Sequence, residues 1–311
     1  MIEPDAVRRR SERRRLVRSP RRRAAPEVAI LNVNCQSRDE RPFHHYTTKH
    51  RVVSWISRRL FDSVTYTVRH GLIKGMRRKG GLAWLPKFIT GSTETPEETF
   101  WRNQDLRNLV IYDVGAFHGL LTLFFARQGR QVISYEPNTE NHARLTENLR
   151  LNGLSNVIVR KVGLGAGPGA ATMVVSPLMP GGASIERQTV AGLLSSSRRV
   201  FSEEISITTL DDDIREMSLP APDFVKIDVE GAELAALGGA RHTLLAHRPR
   251  LFLEVHGETM SQKRKNVADI VACLRDLGYS DIRHVETGAA ITGDNSTLAA
   301  RGHLYCRWEG S

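Results

Sequence analysis

The sequence of 311 residues has few cysteines and no long hydrophobic run. Its three cysteines, Cys35, Cys273 and Cys306, lie far apart and form no Cys-x-x-Cys pair. This spacing argues against a zinc site or a disulfide framework, so we expect free thiols in a reducing, cytoplasmic compartment. Because no stretch of about 18 apolar residues occurs, the sequence predicts no membrane-spanning helix.

The surplus of positive charge is concentrated near one end of the chain. The net charge is +11, and residues 1–25 contain ten arginines and three acidic residues. The like charges of such a segment repel one another, and it has few apolar side chains to bury in a core. We therefore expect residues 1–50 to be a disordered basic tail. Three interpretations stay open: a tail that binds phosphates or anionic surfaces, a transit-type leader, or an upstream extension that does little, which we favour.

Residues 51–107 predict a helical extension. Apolar residues recur at near-helical spacing over residues 52–73, which indicates an amphipathic helix. We expect this helix to pack on the domain edge, with a membrane surface as the less favoured alternative. A second helix is indicated by Thr95 as N-cap, Pro96 at the first helical position and Glu98 three residues after the cap.

Residues 108–311 alternate between segments typical of strands and segments typical of helices. The pattern predicts an α/β fold with a doubly wound, mostly parallel sheet and a terminal antiparallel pair. The predicted strands are 109–115, 131–137, 157–165, 223–231 and 250–257, with further strands in AATMVVSP, EISITTL, SDIRHVE and HLYCRWE. The predicted helices are 119–128, 138–153, one interrupted at Gly238-Gly239, and 260–278.

The turn DVGAFHG, at the end of the first of these strands, predicts a ligand site. Its glycines do not have the Gly-x-Gly-x-x-Gly spacing of a dinucleotide site or the Gly-Lys-Ser/Thr of a P-loop. Glu136, at the end of the next strand, can accept both hydroxyls of an adenosine ribose. Asp113 would repel a pyrophosphate but suits a cationic amino acid moiety, which favours S-adenosylmethionine (SAM) over NAD. Asp113 alone could instead be a structural cap. The candidate cofactor-binding residues are Asp113, Gly115, Ala116, Gly119, Glu136, Pro137 and Asn138.

Several motifs, in this order, resemble the FkbM-type SAM-dependent methyltransferases: IYDVGAFHG, ISYEPN, LNGLSNV, TLDD, FVKIDVEGAEL, GGA and LFLEVH. The resemblance covers about residues 108–256 and is most specific in KIDVEGAE followed by LEVH. It implies a class I methyltransferase fold and O-methylation of sugars, polyketides or other secondary metabolites. The family turn commonly has asparagine where this sequence has Phe117, which puts a side-chain hydrogen bond at this position in doubt.

Charged residues alternate along two of the predicted strands. Lys226, Asp228 and Glu230 share one face of KIDVEG, and Glu254 and His256 share a face of LEVHG. We expect them to converge as catalytic residues, with His256 as a candidate general base and Asp228 orienting it or the acceptor. A structural Lys226–Asp228 ion pair is the alternative. The oxygen-rich cluster could hold a divalent cation, but without a tight ligand motif we expect no metal.

The acceptor is predicted to be an oxygen, because the Asn/Asp-Pro-Pro-Tyr motif typical of amino-group methylation is replaced by IDVE. The leading hypothesis is a SAM-dependent O-methyltransferase that acts on a hydroxyl of a small molecule or glycan. The alternatives are an RNA 2′-O-methyltransferase and a catalytically degenerate SAM-binding module. We expect nucleic acid to bind only non-specifically, through the basic tail. The loop GGASI, with Ser184, could cover the acceptor, whereas the polar residues of TLDDDI are expected to cap a helix.

Overall fold

The computed structural model describes residues 63–80, 94–175, 183–184 and 201–308. The predictions for residues 1–50 lie outside these ranges. The strands are β1 (Thr65–Thr67), β2 (Arg77–Lys79), β3 (Val110–Val114), β4 (Gln131–Tyr135), β5 (Val157–Arg160), β6 (Gly163–Leu164), β7 (Gly169–Val175), β8 (Ala183–Ser184), β9 (Phe201–Thr208), β10 (Phe224–Ile227), β11 (Arg250–Glu254), β12 (Asp281–His284) and β13 (His303–Arg307).

The helices lie between these strands much as the sequence predicts. They are α1 (Pro96–Arg102), α2 (Leu120–Gln128), α3 (Thr139–Leu151), α4 (Leu210–Glu216), α5 (Glu233–Gly238), α6 (Arg241–His247) and α7 (Met260–Asp276), and Ser296–Ala300 forms a 3-10 helix. The capping box predicted at Thr95 and Glu98 is confirmed. None of the helices in the described ranges has the length and hydrophobicity of a membrane span.

Seven strands form the central sheet in the order β12-β13-β11-β10-β3-β4-β5. All neighbours pair in parallel except β13, which is antiparallel to both β11 and β12. The predicted doubly wound sheet with an antiparallel terminal pair is therefore confirmed, and this is the class I methyltransferase fold. The strand order reverses between β3 and β10, and ligands bind at the carboxyl ends of strands beside such a point.

Helices cover both faces of the sheet, so its central strands are buried on both sides. In β3, Val110, Tyr112 and Val114 face one core, shared with α5 and α7. Ile111 faces the other core, which contains Trp101 of α1 and residues of α2. Alternation along the strand sends successive side chains to opposite cores. This burial fixes the carboxyl ends of β3 and β10 beside each other.

A smaller sheet in the order β6-β9-β7-β8 lies beyond β5 in the chain. The sequence predicts one strand over residues 157–165, but the structure divides it into β5 and β6. The chain leaves the central sheet after Arg160, and Gly163 and Leu164 pair with Ile207 and Thr208 of β9 instead. The hydrophobic pattern continues from β5 into β6, so the sequence does not indicate that β6 pairs with β9 instead of β4.

The helix predicted over residues 52–73 is wrong over the part that the structure describes. Residues 65–67 instead form β1, which pairs antiparallel with β2. Gly71 and Gly75 have φ of 80° and 89° in the intervening turn, a conformation that interrupts a helix. The hairpin is also held by α3, because Asn152 and Asn148 accept hydrogen bonds from the β2 backbone. The earlier part of the predicted helix lies outside the described residues.

Candidate active site

The turn after β3 requires glycine at the point where it passes β10. Gly115 has φ of 80°, and a Cβ atom built on it would lie 1.7 Å from the carbonyl oxygen of Asp228. Gly119, with φ of 81°, begins α2 and would place a Cβ atom 2.2 Å from Leu145 Cδ1. The two glycines that the sequence singles out therefore allow close backbone approach on opposite sides of the turn.

Glu136 follows β4, and its carboxylate lies beside this turn. It accepts hydrogen bonds from the backbone N–H of Phe117 at 2.8 Å and of Asn138 at 3.0 Å, and from Asn141 Nδ2 at 3.3 Å. Burial raises the pKa of Glu136 to about 7, although these donors oppose the shift. Phe117 adopts a left-handed φ of 51° and stacks on His118. Asparagine is favoured in that conformation, which explains why phenylalanine is unusual at this position.

A mainly apolar cavity opens between the turn, the end of β10 and the smaller sheet. Its lining consists of Val114, Gly115, Phe117, Tyr135, Glu136, Pro137, Asn141, Val162, Gly163, Leu164, Met173, Ile205, Ile207, Asp228, Val229, Glu230 and Ala232. Three of the predicted cofactor-binding residues, Gly115, Glu136 and Pro137, are among them. Three others form the turn or the start of α3 beside the cavity: Ala116, Gly119 and Asn138.

Asp113 lies beneath the turn and does not line the cavity. Its side chain is fully buried and accepts a hydrogen bond from Thr122 Oγ1 at 2.6 Å. Its other carboxylate oxygen lies 3.3 Å from Lys226 Nζ. The structure thus brings Asp113 to the interior of the sheet, where its partners are the side chains of Thr122 and Lys226 and not the backbone of the turn. Its predicted role toward the cofactor stays a prediction.

Lys226 links β10 to the glycine turn. Its buried Nζ donates to the carbonyl oxygen of Gly115 at 2.9 Å and lies 3.2 Å from Asp228 Oδ2. Burial alone would lower the pKa of Lys226, but the carboxylates of Asp228 and Asp113 raise it. The lysine is therefore a fixed cation that holds the carboxylate of Asp228 at the cavity. These contacts are those of the predicted Lys226–Asp228 ion pair.

The structure brings the predicted catalytic residues together around His256. Its Nδ1 donates a hydrogen bond to the buried Glu233 Oε1 at 2.7 Å. Its Nε2 lies 3.7 Å from Asp228 Oδ1, 3.6 Å from Glu230 Oε2 and 3.6 Å from Glu254 Oε1. Burial by itself would lower the pKa of His256, but the surrounding carboxylates raise it to about 10. Without a further cation at this cluster, His256 is therefore an imidazolium at neutral pH.

Glu230 belongs to this cluster and also lines the cavity. Its backbone is in the left-handed conformation, with φ of 51°. Burial raises its pKa to about 7, partly opposed by the positive charge of His256. A carboxyl group with this pKa exchanges a proton near neutral pH. Asp228, like Glu230, lines the cavity and faces His256. Both residues therefore lie between the predicted cofactor site and the predicted catalytic site.

Sequence reasoning missed two residues of this site, Glu233 and His303. Glu233 is the second acidic residue of VEGAE, and its spacing from Glu230 is the signal that could have identified it. His303 lies on β13, where its Nδ1 is 2.6 Å from Glu286 Oε1 and its Nε2 is 3.6 Å from Glu254 Oε2. The sequence gives no signal for it, because β13 lies far along the chain from β11 and the sequence does not show that these two strands pair.

Comparison with known proteins places this geometry in a family. The family model of the methyltransferase FkbM domain matches residues 113–280. Methyltransferase sdnD of Sordaria araneosa is 29% identical over 156 residues, which are 42% of this chain and 60% of that protein. Hexuronic acid methyltransferase AglP of Haloferax volcanii is 29% identical over 189 residues, which are 55% of this chain and 72% of that protein.

A solved structure of an FkbM methyltransferase from Methylobacillus flagellatus is 21% identical, with a TM-score of 0.45. The similarity covers 71% of this chain and 50% of that one. The family model matches more than half of the chain and includes the glycine turn, Glu136 and the His256 cluster. The chain therefore belongs to the FkbM methyltransferase family, and it spans about 60% of the length of sdnD and 72% of the length of AglP.

Proposed function

We propose that this enzyme transfers the methyl group of SAM to a hydroxyl group of a small molecule or glycan. The observation that carries this proposal is the shared position of Asp228 and Glu230. Both residues line the cavity beside the glycine turn, and both face His256. An acceptor hydroxyl held by the cluster would therefore lie next to the cofactor, which is the arrangement that methyl transfer requires.

The cavity residues fit SAM. The missing side chain at Gly115 leaves room for close approach to the backbone, and the carboxylate of Glu136 has acceptor capacity for ribose hydroxyls beyond its three hydrogen bonds. The apolar lining provided by Leu164, Met173 and Ile205 suits an adenine ring. SAM supplies an electrophilic methyl group on a sulfonium. The chain's own residues orient the acceptor and receive its proton.

Glu230 is the group that we assign to receive the hydroxyl proton. Its pKa of about 7 allows it to be ionised before transfer and protonated afterwards. His256, as an imidazolium, holds the carboxylates in place and could act as a base only after losing its own proton. Lys226 orients Asp228 through the contact of 3.2 Å between its Nζ and Asp228 Oδ2. Glu230, and not His256, is therefore the residue that we propose as the general base.

A sugar or glycan acceptor is supported by AglP, which is named as a hexuronic acid methyltransferase and resembles 55% of this chain. The donor set agrees with this class of acceptor. Asp228, Glu230 and Glu254 offer carboxylate oxygens that accept hydrogen bonds from several hydroxyls at once, as sugars require. RNA 2′-O-methylation is the alternative that the basic tail suggests.

The test is transfer of a labelled methyl group from SAM to a panel of monosaccharides, uronic acids and oligosaccharides, with RNA included. We expect labelled product from a carbohydrate, and base-stable label would show an ether rather than an ester. Glu230→Gln should lower kcat while S-adenosylhomocysteine binds as tightly as before. Binding of S-adenosylhomocysteine without turnover on any acceptor would favour the degenerate binding module instead.

A further inference from the structure

We propose that Asp228, Glu254 and His256 bind a divalent metal ion at the acceptor side of the cavity. The inference deepens the proposed function, on which its role toward the acceptor rests. One ligand atom from each of these three residues lies within 4.8 Å of the other two. Two of the ligands are carboxylates at the ends of neighbouring parallel strands, and the third is an imidazole two residues after β11.

The spacing around His256 Nε2 suits coordination better than hydrogen bonding. Three carboxylate oxygens lie 3.6–3.7 Å from this nitrogen. A charge-assisted hydrogen bond would bring one of them to about 2.8 Å. Ligand atoms bound to one ion at about 2.1–2.4 Å are separated by roughly 3–3.5 Å. The atoms thus lie slightly farther apart than neighbouring ligands of a single cation, so a small inward movement would complete the coordination.

Each of the three ligands also has a partner on the polar atom that faces away from the centre of the cluster, a hydrogen bond for His256 and an ion pair for each carboxylate. Glu233 accepts from Nδ1 of His256 at 2.7 Å. Lys226 lies 3.2 Å from Asp228 Oδ2, which leaves Oδ1 toward His256. His303 Nε2 lies 3.6 Å from Glu254 Oε2, an ion-pair distance that is too long for a hydrogen bond, and Oε1 is the oxygen on the side of His256.

Such outer partners, and above all a carboxylate on the far nitrogen of a histidine, orient the ligands of metal sites. This second set of contacts is independent of the cluster itself. A metal ion at this position would explain why Lys226 and His303 lie beside Asp228 Oδ2 and Glu254 Oε2, the carboxylate oxygens that do not face the ion.

The donor set indicates the ion and the acceptor. Two carboxylates and one imidazole suit Mg²⁺ or Mn²⁺, and the nitrogen ligand favours Mn²⁺. Three protein ligands leave positions open for the acceptor, and Asp228 and Glu230 place those positions beside the cavity. An acceptor with two adjacent oxygens, such as a vicinal diol of a sugar, would use them best. The ion would also balance the charge of carboxylates that outnumber the nearby cations.

The experiment titrates the full chain, stripped of metal with a chelator, with Mn²⁺ and follows the loss of the free-ion electron paramagnetic resonance signal. We expect one site in the wild-type protein. Glu254→Gln should weaken Mn²⁺ binding at least tenfold, and Glu233→Gln should weaken it about 10–100-fold, because it removes the partner of Nδ1. Asp269→Asn is the matched control, since this carboxylate pairs with Lys265 on the surface of α7.

Binding of S-adenosylhomocysteine, measured by calorimetry on the same samples, separates the two proposals and shows that each variant is folded. Mn²⁺ binding that is lost in Glu254→Gln and kept in Asp269→Asn supports the metal site. Absence of Mn²⁺ binding at millimolar concentration, or equal binding by wild type and Glu254→Gln, overturns it, even if S-adenosylhomocysteine binds. Failure of wild type to bind S-adenosylhomocysteine would count against the proposed function and leaves the Mn²⁺ result to be judged separately.

Discussion

Gly115 is a residue at which the glycine turn lies close against the end of β10. An added Cβ atom would meet a backbone carbonyl oxygen at 1.7 Å, and that oxygen cannot move without shifting the end of β10. The residue that follows that strand, Asp228, belongs to the cluster around His256. One methyl group at position 115 would therefore disturb both the proposed cofactor site and the proposed acceptor site.

We expect Gly115→Ala to abolish measurable binding of S-adenosylhomocysteine and to lower the unfolding temperature. The matched control is Gly153→Ala, where φ is also positive, at 63°, but no atom lies within 4 Å of the added carbon. The control should lose only the ~1–2 kcal/mol of left-handed strain and keep its affinity. Calorimetry and thermal unfolding measure both effects. Equal losses in the two variants would contradict the close approach at Gly115.

The ionisation of Glu136 should make cofactor affinity depend on pH. Its pKa is about 7, so the group is mostly protonated at pH 6 and mostly ionised at pH 8. A protonated carboxyl group has less capacity to accept from ribose hydroxyls. Affinity for S-adenosylhomocysteine should therefore rise between pH 6 and pH 8, by at most about tenfold per unit. Calorimetry at both values tests this, and Glu136→Gln should remove the dependence. The same slope in that variant would assign the effect to another group.

At the scale of elements, α1 is the segment whose place in the fold is least evident from the chain order. It precedes the predicted domain start at residue 108, yet Trp101 is fully buried. Its ring packs against Phe125 of α2, Phe224 of β10 and Phe252 of β11, with centroids 4.9, 5.4 and 4.5 Å away. These contacts indicate that α1 folds together with the central sheet, and the boundary at residue 108 stays a prediction.

Trp101→Ala should lower the free energy of unfolding by about 3–5 kcal/mol, the usual cost of removing a buried tryptophan. Leu298→Ala is the control, because Leu298 is 58% exposed and should change stability by less than about 0.5 kcal/mol. Denaturant unfolding of the full chain gives both values. If Trp101→Ala cost no more than the control, α1 would be an appendage and not part of the core.

The sequence predicts elements well where local signals and burial agree. The N-cap predicted at Thr95 is confirmed, and Thr209 of TLDDDI also caps a helix as predicted, because a side-chain oxygen at an N-cap is a local requirement. The β1–β2 hairpin was missed because its stability depends on asparagines of α3 about 70 residues away. The strand ends predict that Asp228 and Glu254 meet. They do not reveal His303, which depends on which strand joins the edge of β11.

At the scale of the whole molecule, the distribution of charge distinguishes methylation of a small molecule or glycan from methylation of RNA. Residues 1–25 hold most of the surplus positive charge. Removal of residues 1–50 should leave affinity for S-adenosylhomocysteine unchanged, because the cavity is lined by residues 114–232. Affinity for RNA should fall, and its steep dependence on salt should disappear. Filter binding at two salt concentrations measures this. RNA binding that survives the deletion would favour RNA as the acceptor.

Two of the cavity-lining residues, Phe117 and Glu230, hold a left-handed backbone conformation without being glycine. Such conformations cost of order 1–3 kcal/mol each and persist where the surrounding structure enforces them. Selection for heat resistance alone should therefore accept glycine or asparagine at both positions. Variants obtained in this way should survive higher temperatures and turn over more slowly, because a side chain that lines the cavity would be lost. At positions 117 and 230, a screen for thermostability would therefore select glycine or asparagine, whereas a screen for activity would retain the present side chains.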